Sequence, residues 1–159
     1  MKKTAIISLV IVLVIALVAM PGCSKSKKYK DADGNEYTVS GDGDSMTIHG
    51  EDGDSTYSVG DNLSWPKGSM GDLPELKGNI DAVSESPEGV LVSFSEVSQS
   101  DVEAYIGKLK GLGYETVMEM DLGEGDFMYF GQKGSDEVTL SFSSNDGKKG
   151  SCMITYQKS

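Results

Sequence analysis

The chain begins with an uninterrupted apolar run. Thr4 to Met20 (TAIISLVIVLVIALVAM) carries no charge, follows Met1-Lys2-Lys3, and stops at the helix-breaking pair Pro21-Gly22. A positive start, an apolar stretch and a small residue at a cut site are the parts of a secretory signal. Residues 1–22 are therefore expected to be a removable signal peptide. The competing reading is an uncleaved anchor, because a run of 17 uncharged residues approaches the about 20 that span a bilayer.

After a polar, basic stretch at residues 23–30, the pattern changes to short alternations. The blocks DADGNEYTVS, GDGDSMTIHG and EDGDSTYSVG fill residues 31–60 and recur about every ten positions. Each joins an Asp-Gly turn signal to a period-two apolar pair: Tyr37 and Val39, Met46 and Ile48, Tyr57 and Val59. Period two places each pair on one strand face, and Asp-Gly supplies the backbone angles of tight turns. The expectation is a three-stranded meander. With two apolar side chains per strand it is marginal alone, so it either extends a larger sheet or forms a loosely ordered stalk.

Residues 61–78 (DNLSWPKGSMGDLPELKG) lose periodicity, and Pro66 and Pro74 restrict the residues before them, so the stretch reads as a linker. Trp65, the single tryptophan, is expected to pack as a hydrophobic plug at the domain edge rather than to bind a ligand.

Residues 79–159 read as the folded body. An extended segment at 80–84 and the turn Ser86-Pro87-Glu88-Gly89 lead to Val90, Val92 and Phe94 in alternation. Ser100 and Glu103 then have the spacing of a capping box. Val102, Tyr105, Ile106, Leu109 and Leu112 follow at helical spacing, and Gly111 and Gly113 give stop signals. Four further extended runs are expected: Tyr114/Thr116/Met118/Met120, Phe127–Phe130, Val138/Leu140/Phe142 and Cys152/Ile154/Tyr156. The order β-β-α-β-β-β-β implies an α+β domain, an antiparallel sheet with one packed helix, preceded by the short Asp/Gly-rich meander.

Charge and cysteine content narrow the function classes. From Asp31 onward there are 25 acids and 8 lysines, a net of −17 (8 − 25), and the chain has no arginine. Without guanidinium forks and with a negative field, nucleic-acid binding is excluded. Basic partners or plain solubility are the uses such a field has. The sequence holds two cysteines, Cys23 and Cys152. If the first carries lipid, the second has no disulfide partner within the chain, and the domain relies on its own core.

The residues Met20-Pro21-Gly22-Cys23 resemble a bacterial lipobox, the motif whose cysteine is acylated as the peptide before it is removed. That resemblance implies lipidation at Cys23 and a basic tether over 23–30. It also implies an anchor in membrane lipid, where acyl chains contribute about 0.8 kcal/mol per buried methylene, on the extracytoplasmic face of the cell membrane. Met20 departs from the leucine usual at that position. More broadly, the strand repeat, the Trp-Pro…Leu-Pro segment and SDVEAYIGKLKGLGY resemble uncharacterised lipoproteins of low-GC Gram-positive bacteria, which implies architecture and envelope location but no mechanism.

Candidate chemistry is sparse. Asp31, Asp33, Asn35, Asp42, Asp44, Asp52 and Asp54 offer oxygen ligands, but Gly34 stands fourth from Asp31 where an EF-hand loop needs its glycine sixth. These aspartates read as turn residues. His49, the single histidine, cannot build a multi-histidine zinc site and reads as a solvated strand residue. Cys152 shares parity with Ile154 and Tyr156 and reads as a buried, inert thiol. The methionines show no M-x-x-M cluster that would take a soft metal. No metal, cofactor or catalytic residue is expected. The function expected is a non-enzymatic envelope module that binds an envelope protein or cell-wall component. Two alternatives are an acidic inhibitor of a basic extracellular enzyme and a small hydrolase using paired surface carboxylates.

Overall fold

A computed structural model describes residues 25–31, 34–145 and 149–158. The signal segment 1–22, Cys23 and Asp33 lie outside the described residues. The elements run β1 (Lys27–Lys30), β2 (Glu36–Val39), β3 (Ser45–Gly50), β4 (Gly53–Val59), β5 (Asn79–Ser86), β6 (Gly89–Ser98), α1 (Gln99–Gly111), β7 (Glu115–Gly123), β8 (Asp126–Lys133), β9 (Asp136–Ser144) and β10 (Lys149–Gln157). All ten strands form one antiparallel sheet in the order β1-β2-β3-β4-β5-β6-β10-β9-β8-β7. Among the described residues the α+β class with one helix holds, and most of them lie in strands.

Two segments behave differently from the sequence reading. Lys27–Lys30, expected as tether, pair with β2, with Lys28 opposite Thr38 and Tyr29 opposite Tyr37. Lysine disfavours central strands yet suits an edge, where its charge keeps other chains away. The meander, whose docking the sequence left open, continues the main sheet, because Thr56–Val59 of β4 pair with Ala82–Glu85 of β5.

Pairing register explains where the core lies. One row of side chains crosses the sheet as Ser58, Val83, Val92, Ile154, Leu140 and Tyr129. From Val83 onward every member is buried. The neighbouring row on the opposite face runs Val39, Met46, Tyr57, Ser84, Leu91, Thr155, Thr139, Phe130 and Met118. The meander thus presents its apolar residues on one face and the body presents its core on the other. Val39 and Met46 are buried cross-strand partners, yet they stand outside the main hydrophobic cluster.

Helix α1 covers the core face through Val102, Tyr105, Ile106 and Leu109. The helix cap lies two residues before the expected one. Ser98, still extended at φ −87° and ψ 147°, accepts from the Asp101 backbone N–H, so Ser98 and not Ser100 is the N-cap. Its hydroxyl also donates to Asp101 Oδ2 at 2.5 Å, so the serine caps the helix with its side chain, in place of the Ser100–Glu103 capping box that was expected. Hydrogen bonding from Ser98 and the charge of Lys77 hold the Asp101 carboxyl below its ordinary range. The helix closes with Gly113 at φ +93°. There the Gly113 and Tyr114 N–H groups donate to the Lys110 and Leu109 carbonyls, a Schellman closure. Leu112 becomes the C-cap and is 37% exposed, so it leaves the expected apolar stripe.

Residues 61–78, read as a linker, are part of the core. Trp65, Met70, Leu73 and Leu76 are all buried and belong to the same cluster as Phe94 and Ile154. The Trp65 ring lies 6.1 Å from that of Phe94, so the expected plug is present. Its anchors fall at irregular intervals because the segment is a strap of turns, which leaves no period to read. Replacing a buried tryptophan by alanine costs about 3–5 kcal/mol. Trp65→Ala should lower the urea midpoint accordingly, while Leu122→Ala at a site 56% exposed should change stability by no more than about 0.5 kcal/mol. Comparable losses from both would contradict this core assignment.

Candidate functional site

Among the described residues singled out by sequence, His49 and Asp54 meet, but no common site forms. Cys23 lies outside the described residues. His49 is half-buried rather than fully solvated, as Nε2 lies 2.9 Å from Thr38 Oγ1 and Nδ1 lies 3.0 Å from Asp54 Oδ2. Both ring nitrogens are engaged within the meander. Two of the turn aspartates brace their own loops. Asp31 accepts from the Asn35 backbone N–H at 2.9 Å, and Asp42 from that of Asp44 at 3.2 Å. Among the described residues no cluster of three metal-ligating side chains occurs.

The concave feature is instead a groove of about 700 Å³ between α1 and the β7–β8 hairpin. Its helical wall is Glu103, Ile106, Gly107 and Lys110, whose spacing of three, one and three puts them on one helix face. Ile106 and the half-buried Phe127 supply apolar floor. A β-carbon on Gly107 would meet no atom within 4 Å, so the floor is open there. The opposite wall is Glu119 and Asp121, and the turn Gly123-Glu124-Gly125 closes one end. All three turn residues have positive φ (84°, 56° and 87°), a run that only glycine-rich sequence adopts readily.

The carboxylates of this groove are largely engaged in holding it together. Glu119 pairs with Lys110 across the groove at 3.2 Å. Asp121 Oδ1 accepts from the Gly123 N–H at 2.8 Å, and Asp126 accepts from the Ser144 N–H at 2.7 Å. Glu103 accepts from Gln99 Nε2 at 2.9 Å. Among the described residues no charged side chain is buried. The hydrolase reading needs a desolvated acid, and the groove does not supply one.

The second feature is the outer strand of the same groove. β7 pairs with β8 on one side and ends the sheet on the other. All nine of its residues are exposed, including Val117, Met118, Met120 and Leu122 at 55, 41, 42 and 56%. A register shift between Thr116 and Met118 interrupts the expected alternation. Thr116 stands opposite Gly131 in the core-face rows, whereas Met118 and Met120 stand opposite Phe130 and Met128 on the open face. The other sheet edge, β1, is basic and fully exposed. The sequence showed an alternating strand at 114–120, but which strand ends the sheet depends on the β6–β10 pairing, formed by residues more than 50 positions apart.

Cys152 lies in the core and is free. Burial raises its thiol from the ordinary 9.0 to about 12. The neutral form is favoured in the fold, so stability declines as pH rises from the ordinary thiol range toward 12. At pH 8 the peptide containing Cys152 should stay unmodified by a thiol reagent in the native chain and react fully in denaturant. Rapid native labelling would contradict the burial.

Compared with known proteins, the chain matches no family model, no curated protein and no solved structure.

Proposed function

We propose that this chain is a lipid-anchored envelope protein, held on the extracytoplasmic face of the cell membrane through Cys23, that acts as a non-enzymatic interaction module. The observation that carries the interaction reading is the β7 edge. Its free backbone donors and acceptors sit beside exposed Val117, Met118, Met120 and Leu122. Strand edges of this kind recruit extended segments by backbone hydrogen bonding, with alternate side chains setting the choice of partner. Glu119 and Asp121 give the edge a preference for basic partners. The anchoring reading is supported by the lipobox-like MPGC and the apolar run before it.

The test uses the full chain expressed in a bacterial host with a lipoprotein export pathway. Mass spectrometry of the membrane fraction should find an acylated Cys23 as first residue, and an intact Met1 would overturn the anchor. Capture from envelope extracts should recover a partner that Val117→Lys/Leu122→Lys loses while keeping its circular dichroism spectrum. Equal recovery by both forms would overturn β7 as the contact surface.

A further inference from the structure

We propose that the chain assembles head to tail, with strand β1 of one copy adding to the free side of β7 in the next. The proposal builds on the reading of β7 as a contact surface and names its occupant as a second copy.

Strand direction permits the contact. Nine consecutive antiparallel pairings separate β1 from β7 in the sheet order, an odd number, so the two edge strands run in opposite directions. A copy added in the same orientation offers its β1 antiparallel to β7, with the core faces of both copies on the same side. Sheet growth then continues without changing the hydrogen-bond pattern.

Side-chain pattern favours it as well. Lys28 and Lys30 pair with Thr38 and Glu36, and that row continues through Thr47, Thr56, Glu85 and Val90 on the core face. Glu119 and Asp121 stand opposite Tyr129 and Phe127, also on the core face. Two lysines spaced by two therefore meet two carboxylates spaced by two. On the open face Tyr29, 38% exposed, comes against Met118 and Met120. Pairing β7 with another β7 would bring Glu119 and Asp121 toward their own kind, and pairing β1 with β1 would oppose lysines. Like charges directly across a strand pair are destabilising, so the β1–β7 contact is the combination with matched charge.

Competing internal contacts are weak. Lys30 meets Glu36 at 3.6 Å and Lys110 meets Glu119 at 3.2 Å, each with both side chains about half exposed or more. Exposed ion pairs exchange partners at little cost. The contact is heterologous, so it propagates from copy to copy. Four residues of β1 make each link weak in free solution and responsive to the concentration that a membrane surface imposes.

The experiment couples lysine amines to carboxylates with a zero-length carbodiimide, using an equal mixture of isotopically light and heavy full-length chain. Within one copy, nine strand spacings hold the two edges roughly 40 Å apart, so a Lys28 or Lys30 link to Glu119 or Asp121 joins two copies. Mixed-isotope links between these residues and a ladder of multimers that fades in high salt are expected. Lys28→Glu/Lys30→Glu alone and Glu119→Lys/Asp121→Lys alone should each reduce those links to background, and mixing the two variants should restore them. Links confined to other residues, or a ladder unchanged by either variant, would overturn the proposal. Capture of an envelope partner through β7 without any self-coupling would also overturn it, while leaving the interaction-module reading in place.

Discussion

Val92, Ile154 and Leu140 stand side by side on β6, β10 and β9, and none of them is exposed to solvent. Leu109 of α1 and Met70 of the 61–78 strap are equally buried and belong to the same cluster. This dry layer on one face of one sheet is the constraint from which the rest follows. Because strand side chains alternate, burying Val92 and Phe94 sends Leu91 and Ser93 to the other side, and every paired strand inherits the same division. The helix and strap together close the layer only over β5 to β10. Beyond β5 the core face turns polar, with Thr56, Thr47 and Thr38 in succession, and the meander is held by its pairing with β5.

Much of this was legible in the sequence where period and burial coincide. Val90/Val92/Phe94, Val138/Leu140/Phe142 and Cys152/Ile154/Tyr156 alternate cleanly because both neighbours of each central strand keep one face dry. The helix stripe was legible for the same reason, although Ser98 rather than Ser100 starts it. What stayed hidden depended on partners distant in the chain. Trp65, Met70, Leu73 and Leu76 reach the core from turns, with no repeat to reveal them. Lys27–Lys30 became a strand because Thr38 and Tyr37 lay ready to pair with them, a property of β2 and not of the lysines. The bulge near Val117 moved Met118 to the face opposite Thr116, and nothing local to Glu115–Gly123 announces it.

The two ends of the sheet are chemically unlike, and that asymmetry concerns function. β1 carries three lysines and a tyrosine, whereas β7 carries three acids among exposed aliphatic and thioether side chains. A ten-stranded open sheet leaves two rows of unpaired backbone groups, and protection of such edges is the norm. β1 follows the norm with lysine. β7 combines charge on one face with apolar surface on the other, which suits selective addition of a basic strand better than exclusion of all strands. Behind β7, Lys110–Glu119 links the strand to α1 through an exposed pair, and Asp126 ties the start of β8 to Ser144 of β9.

The stability of the sheet rests on the dry layer that β5, β6, β8, β9 and β10 form with the helix-and-strap cover. Amide hydrogen exchange followed residue by residue tests this most directly, because it reads local opening separately in each strand. Amides of β6, β9 and β10 should be the slowest, with protection stepping down through β5 and β4 to β2 and β3. Meander amides exchanging as slowly as those of β10 would contradict the account, since the Val92–Ile154–Leu140 layer would then not be what holds the sheet together.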